Sequence, residues 1–328
     1  MTARVCKLSV VCPAFDEEEV VPRFHAELAA VLDGLGEGYD VEVLYVDDGS
    51  RDGTLEVLRR LAAIDGRVRY LSLSRNFGHQ AALTAGLRHA CGDVVITLDS
   101  DLQHPPALIP ALLERWRAGH DVVLTLREDD PRLGRLKRWS SRLFYRLMHV
   151  VSDTELRAAA SDFRLMSRRA VKALLRLRES HRFLRGMVSW LGFPTVTMPY
   201  VPASRAAGVS KYTFRKMLRL AADGLLSFSR APMRLAPAVG GAYAAVGAGL
   251  GVAGGLLALL RGGSDWGWWV LMATVLLVGG CVLAGLGVVG EYVGRIYEEV
   301  KRRPVYLLKD ASPELAARRR RAARRLAA

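Results

Sequence analysis

Two long uncharged apolar runs near the end of the chain constrain its fold more than any other feature. Residues 235–260 hold no Asp, Glu, Lys or Arg, residues 266–290 hold none either, and only Arg261-Gly262-Gly263-Ser264-Asp265 separates them. Each run exceeds the ~20 residues that carry a helix across a ~30 Å hydrocarbon core. The short connection leaves room for a hairpin tip and little else. Two buried helices of a soluble core are the competing reading, but buried helices of this length usually carry some charge. Trp266, Trp268 and Trp269 open the second run, where indole rings favour the membrane interface. Arg230 and Arg234 precede the first run, and Arg295, Lys301, Arg302 and Arg303 follow the second. The positive-inside rule then puts both termini, and whatever domain precedes residue 235, in the cytoplasm. A multi-pass protein of the plasma (inner) membrane, with a two-helix hairpin at 235–290, is expected.

Charge divides the rest of the chain. Residues 1–130 carry 13 basic and 22 acidic side chains, residues 131–234 carry 22 and 5, and residues 291–328 carry 11 and 5. The acidic first block argues against a nucleic-acid-binding arm, and no nucleic-acid partner is expected. The apolar run at 8–12 is too short for a signal peptide and meets Asp16-Glu17-Glu18-Glu19 directly. Cys6, Cys12, Cys91 and Cys281 form no CxxC pair, so neither a disulfide framework nor a structural zinc site is expected. Gly249-Leu250-Gly251-Val252-Ala253-Gly254 matches the dinucleotide fingerprint but lies inside an apolar run. It reads as small-residue spacing for helix packing.

Before the spans, short β-branched runs at 8–12, 41–46, 68–73, 94–98 and 122–126 alternate with helical periods at 20–35, 54–64, 80–90 and 106–118. That alternation predicts a parallel α/β sheet with ligands beyond the carboxyl ends of its strands. Polar clusters fall at four such ends: Pro13-Ala14-Phe15-Asp16-Glu17, Asp47-Asp48-Gly49-Ser50, Ser74-Arg75-Asn76-Phe77-Gly78 and Asp99-Ser100-Asp101-Leu102-Gln103. Each alone could cap a helix. Together they mark a site. Asp99 and Asp101 share one side of an extended chain, and the Gln103 carbonyl continues the alternation. Hard oxygen ligands in that row suit Mg²⁺ or Mn²⁺ holding phosphate oxygens. Asp16 and Asp47 could accept hydrogen bonds from a base or ribose.

The motifs PAFDE, VDDGSRDGT, RNFGHQAAL and LDSDLQHPP resemble those of family 2 glycosyltransferases with the GT-A, Rossmann-like fold. SDFRLMSRRAV, HRFLRGMVSWLGF and RAAGVSKYTFRKML resemble the branch with polyprenyl-phosphate acceptors, the bactoprenol glucosyltransferases and dolichol-phosphate-mannose synthases. The resemblance covers roughly residues 5–305. It implies that Pro13, Phe15, Glu17 and Asp47 frame the nucleotide, and that Asp99, Asp101 and Gln103 hold a metal. It puts Asp162 and Arg164 near the transferred sugar, with Asp101, Asp162, Arg164 and Lys211 as the catalytic set. Arg205, Ser210 and Lys211 would lie on a loop closing over the diphosphate and the acceptor phosphate. Phe15 and Asp16 depart from the Tyr and Asn common at those positions. With the glycine-rich first run, the resemblance also points to a homotetramer.

Residues 131–151 and 211–228 read as basic amphipathic helices suited to the interface plane, on the acceptor side of a catalytic domain that ends at 234. The 131–234 segment and a basic tail at 291–328 would meet anionic membrane lipids. The expected activity is inverting transfer of a sugar, glucose from UDP-glucose first, from a nucleotide-sugar donor to polyprenyl (undecaprenyl) phosphate, with GDP-mannose the alternative donor. A processive polysaccharide synthase fits less well: Arg135-Leu136-Lys137-Arg138-Trp139 lacks the Gln of Q-x-x-R-W, and two spans form no pore. A lipid-binding adaptor would leave the carboxylate cluster without a purpose.

Overall fold

The computed structural model describes residues 5–127, 160–179, 182–201, parts of 239–260 and 266–318. The amphipathic stretches expected at 131–151 and 211–228, and the residues Arg205, Ser210 and Lys211, lie outside them.

The expected alternation is present. Strands β1 (Cys6–Ala14), β2 (Tyr39–Asp47), β3 (Val68–Leu73) and β4 (Val94–Thr97) are joined by α1 (Val21–Asp33), α2 (Thr54–Ile64) and α3 (His79–His89). A 3₁₀ turn at Pro106–Leu108 leads into α4 (Ile109–Arg117) and β5 (Val122–Arg127). Seven consecutive buried residues end β1, as a strand covered on both faces requires. Beyond the expectation come β6 (Ala160–Ser167), α5 (Arg168–Arg176), α6 (Leu184–Trp190), β7 (Thr195–Tyr200) and β8 (Leu308–Ala311).

The sheet runs β7-β5-β6-β4-β1-β2-β3-β8. β1 to β4 pair in parallel, while β6 is antiparallel to β4 and β5. β2 and β3 extend from one side of β1 and β4 lies on the other, so the strand order reverses there. Open α/β sheets take ligands in the crevice beyond the carboxyl ends at such a reversal. α3 approaches the sheet so closely that a Cβ on Gly86 would stand 2.2 Å from Val11 Cγ1.

The chain forms two compact units. The sheet and its helices make one, and the chain re-enters that unit at Pro304. This corrects the expectation of a separate tail from 291. β8 pairs antiparallel with β3, Asp310 takes Arg59 at 2.7 Å, and Leu315 is buried. Arg318, expected at a lipid surface, lies 3.3 Å from Glu42 instead.

The other unit contains the apolar helices. α7 (Trp266–Val300) continues ten residues past the uncharged run, with Glu291 and Arg295 paired one turn apart at 3.2 Å. Through Leu277–Val300, of mean hydropathy 1.6, it is the one helix among the described residues long and apolar enough to cross a membrane. The earlier apolar helix, Val239–Gly254, is shorter and carries Gly249 and Gly254 of the fingerprint look-alike.

Candidate active site

Loops after β1, β2, β3 and β4 are tied to one another at the reversal point. Asp16 adopts φ 53°, a left-handed conformation that Asp tolerates better than most residues. Its N–H donates to Ser50 Oγ at 3.1 Å and its Oδ1 accepts from the Arg51 N–H at 2.9 Å. The Ser100 hydroxyl sits between the Glu17 carboxylate and the Pro13 carbonyl, the latter at 2.7 Å. Asp47 is buried; it accepts from the Ser50 N–H at 2.9 Å and the Ser72 hydroxyl at 2.7 Å. Asp48 accepts from the N–H groups of Phe77 and Gly78 at 2.8 and 2.9 Å, and burial raises its pKa. Gly49 has φ 69°, and a Cβ there would stand 2.4 Å from the Arg75 carbonyl carbon, so no other residue fits. Pro13, Glu17 and Asp47 thus hold the loops together with the polar atoms expected to face a nucleotide. Phe15 is half-buried in the first loop.

The loop after β4 presents the carboxylates. The Asp99 N–H donates to His104 Nδ1 at 3.2 Å, which leaves His104 Nε2 to donate to Ser161 Oγ on β6 at 2.9 Å. His104 also stacks on Phe163, ring centroids 5.5 Å apart. Asp99 Oδ1 is buried without a hydrogen-bond partner. Asp101 accepts from both the backbone N–H (3.0 Å) and the Nε2 (2.6 Å) of Gln103. Gln103 Oε1 accepts from Arg127 Nη1 at 3.3 Å. A carboxylate only accepts and a guanidinium only donates, so both neighbours fix the amide the same way round. The expected third metal ligand, the Gln103 carbonyl, is therefore turned to Arg127. Among the described residues no three His, Cys, Asp or Glu groups gather as a metal cage.

Asp162 on β6 is 4% exposed and sits among cations. It pairs with Arg164 and also with Arg185 at 2.7 Å. His79 Nε2 lies 3.5 Å from Asp162 Oδ2 and 3.4 Å from Asp99 Oδ1. Partial desolvation opposes the charge of His79, whose side chain is 40% exposed, but Asp99 and Asp162 outweigh it and push its pKa up to about 9. Burial likewise opposes ionisation of Asp162, yet Arg185, His79 and Arg164 hold its pKa well below the usual carboxylate range. His79, His104 and Arg185 were not expected as site residues.

The family described as Glycosyl transferase family 2 matches residues 9–175, from β1 into α5. The chain belongs to that family. The SfII prophage-derived bactoprenol glucosyl transferase of Shigella flexneri is 42% identical to this glycosyltransferase, over 92% of this chain and 97% of that protein. The prophage bactoprenol glucosyl transferase homolog of Escherichia coli (strain K12) is 40% identical, over 92% of this chain and 98% of its own. Among solved structures, glucosyl-3-phosphoglycerate synthase from Mycobacterium tuberculosis aligns with 68% of the chain at a TM-score of 0.45 and 22% identity. The mixed sheet is that of a GT-A glycosyltransferase, and Asp99 and Asp101 lie at its strand-end crevice.

Proposed function

We propose that this glycosyltransferase moves a glucosyl group from UDP-glucose to polyprenyl (undecaprenyl) phosphate, with inversion, at the cytoplasmic face of the plasma membrane. The observation that carries the reading is 42% identity across 92% of the chain to a bactoprenol glucosyl transferase. A phosphate oxygen of the acceptor attacks the anomeric carbon as the bond to the diphosphate breaks. That oxygen is ionised at neutral pH, so positioning and charge matter more than a base. Asp162, held ionised by three cations, is a poor proton acceptor. Its part is to fix Arg164, Arg185 and His79 in the crevice.

Asp99 and Asp101 would hold Mg²⁺ or Mn²⁺. The buried Asp99 Oδ1, which makes no hydrogen bond, supports the fit, since a hard cation supplies the close partner that oxygen lacks. Two carboxylates plus substrate phosphate oxygens are an ordinary Mg²⁺ arrangement. Such an ion neutralises charge developing on the leaving diphosphate. Gln103 and Arg127 orient Asp101 toward it. Arg205, Ser210 and Lys211 remain our candidates for the acceptor phosphate.

Two membrane crossings belong to the same proposal. β3 and β8 pair in one sheet, yet α7 lies between them in the chain. If α7 spans the bilayer, one further crossing must precede it for both strands to share a side. The uncharged run at 235–260 supplies that crossing.

The test presents the purified protein with radiolabelled UDP- and GDP-sugars and undecaprenyl phosphate. UDP-glucose should give a single-sugar lipid at least tenfold faster than any other donor. Preference for GDP-mannose would replace the donor, and transfer to lipid from none of them would refute the reading.

A further inference from the structure

His79 occupies a built position. It opens α3, directly after Gly78, whose N–H is held by Asp48 at 2.9 Å. The next residue, Gln80, accepts the Leu184 N–H at 3.0 Å. A cation at a helix N-terminus is disfavoured by the helix dipole, so something else must account for an imidazole there. Its Nε2 lies 3.4 Å from Asp99 Oδ1 and 3.5 Å from Asp162 Oδ2, which leaves those oxygens at most about 7 Å apart. One carboxylate follows β4 and the other sits on β6. The His79 side chain on α3 reaches both acids, and Asp99 Oδ1 makes no hydrogen bond.

We propose that His79 is a positioning residue for sugar transfer. It clamps Asp99, which holds donor and metal in the reading above and on which this inference rests, at a fixed distance from the Asp162–Arg164–Arg185 cluster. Without the clamp the spacing of Asp99 from that cluster is no longer fixed, and the donor binds out of line. A misplacement of about 1 Å costs on the order of 100-fold in rate.

The experiment compares His79→Ala, His79→Lys and wild type in UDP-glucose transfer. His79→Ala should lower kcat about 100-fold while the donor KM moves less than threefold. His79→Lys, whose ammonium can meet both carboxylates, should recover at least tenfold of that loss. An alanine variant with kcat within threefold of wild type, or a lysine variant no better than alanine, would overturn the proposal. A thermal-unfolding cycle of His79→Gln, Asp162→Asn and the double variant, in detergent without substrate, reads the clamp independently of transfer. Non-additive shifts in Tm support it, and additive shifts overturn it even where the transfer reading stands.

Discussion

Among single residues, Gln103 and Asp101 separate the roles of orienting and holding. Asp101 is assigned to the metal and diphosphate, so Asp101→Ala should lower kcat/KM at least about 100-fold, the scale of one lost charged transition-state contact. Gln103 acts through Asp101, and Gln103→Ala should cost about tenfold, as loss of a supporting contact does. Steady-state kinetics over a Mn²⁺ titration distinguishes the two; equal losses would restore Gln103 as a ligand. His25 offers a pH test away from the site. Burial lowers its pKa from 6.5, against the pull of Asp65, and its Nδ1 lies 3.1 Å from the Tyr45 hydroxyl. The unfolded chain therefore binds this proton more tightly than the folded one. Its contribution to stability is present above 6.5 and is lost as pH falls through the lowered folded value. Thermal unfolding from pH 7.5 to pH 5 should show Tm falling more steeply for wild type than for His25→Gln. The strand-end clusters pointed to Asp99 and Asp101, and the resemblance pointed to Asp162 and Arg164. His79 and Arg185 were not legible in the sequence, because spacing along a strand says nothing about what α3 and α6 bring across to it.

At the scale of elements, β1 to β5 were legible because strands covered on both faces are written as near-continuous apolar runs. β6 was not read from the sequence, because Asp162 and Arg164, both buried, interrupt its apolar pattern. β8 is four residues, Leu308-Lys309-Asp310-Ala311, with no apolar run to mark it. Its place is set by pairing with β3 far back in the chain. The segment closes a sheet edge that would otherwise expose unpaired backbone groups. Leu315→Ala, at a 2% exposed position, should cost about 2–5 kcal/mol in urea unfolding of the sheet's unit. A change below about 0.5 kcal/mol would mean that the segment packs loosely. Gly86→Ala should cost about 1–3 kcal/mol in the same assay, since its new Cβ would meet Val11.

For the whole molecule, the return of the chain to its own sheet after α7 predicts an even number of crossings. In a background without the native cysteines, Ser264→Cys should react with an impermeant thiol reagent in intact cells. Ala317→Cys, exposed beyond β8, should react only after permeabilisation. The reverse pattern would overturn the topology. The two uncharged runs raise that anchoring as an expectation, whereas the strap at 304–318 needed the tertiary pairing. The most direct test of the account is transfer of label from UDP-[¹⁴C]glucose into organic-extractable lipid by purified protein with undecaprenyl phosphate and Mn²⁺. Wild type should produce a lipid-linked monoglucoside, and Asp99→Asn should lose that product at least about 100-fold while remaining folded. Equal product from the two proteins, or none from wild type, would contradict it.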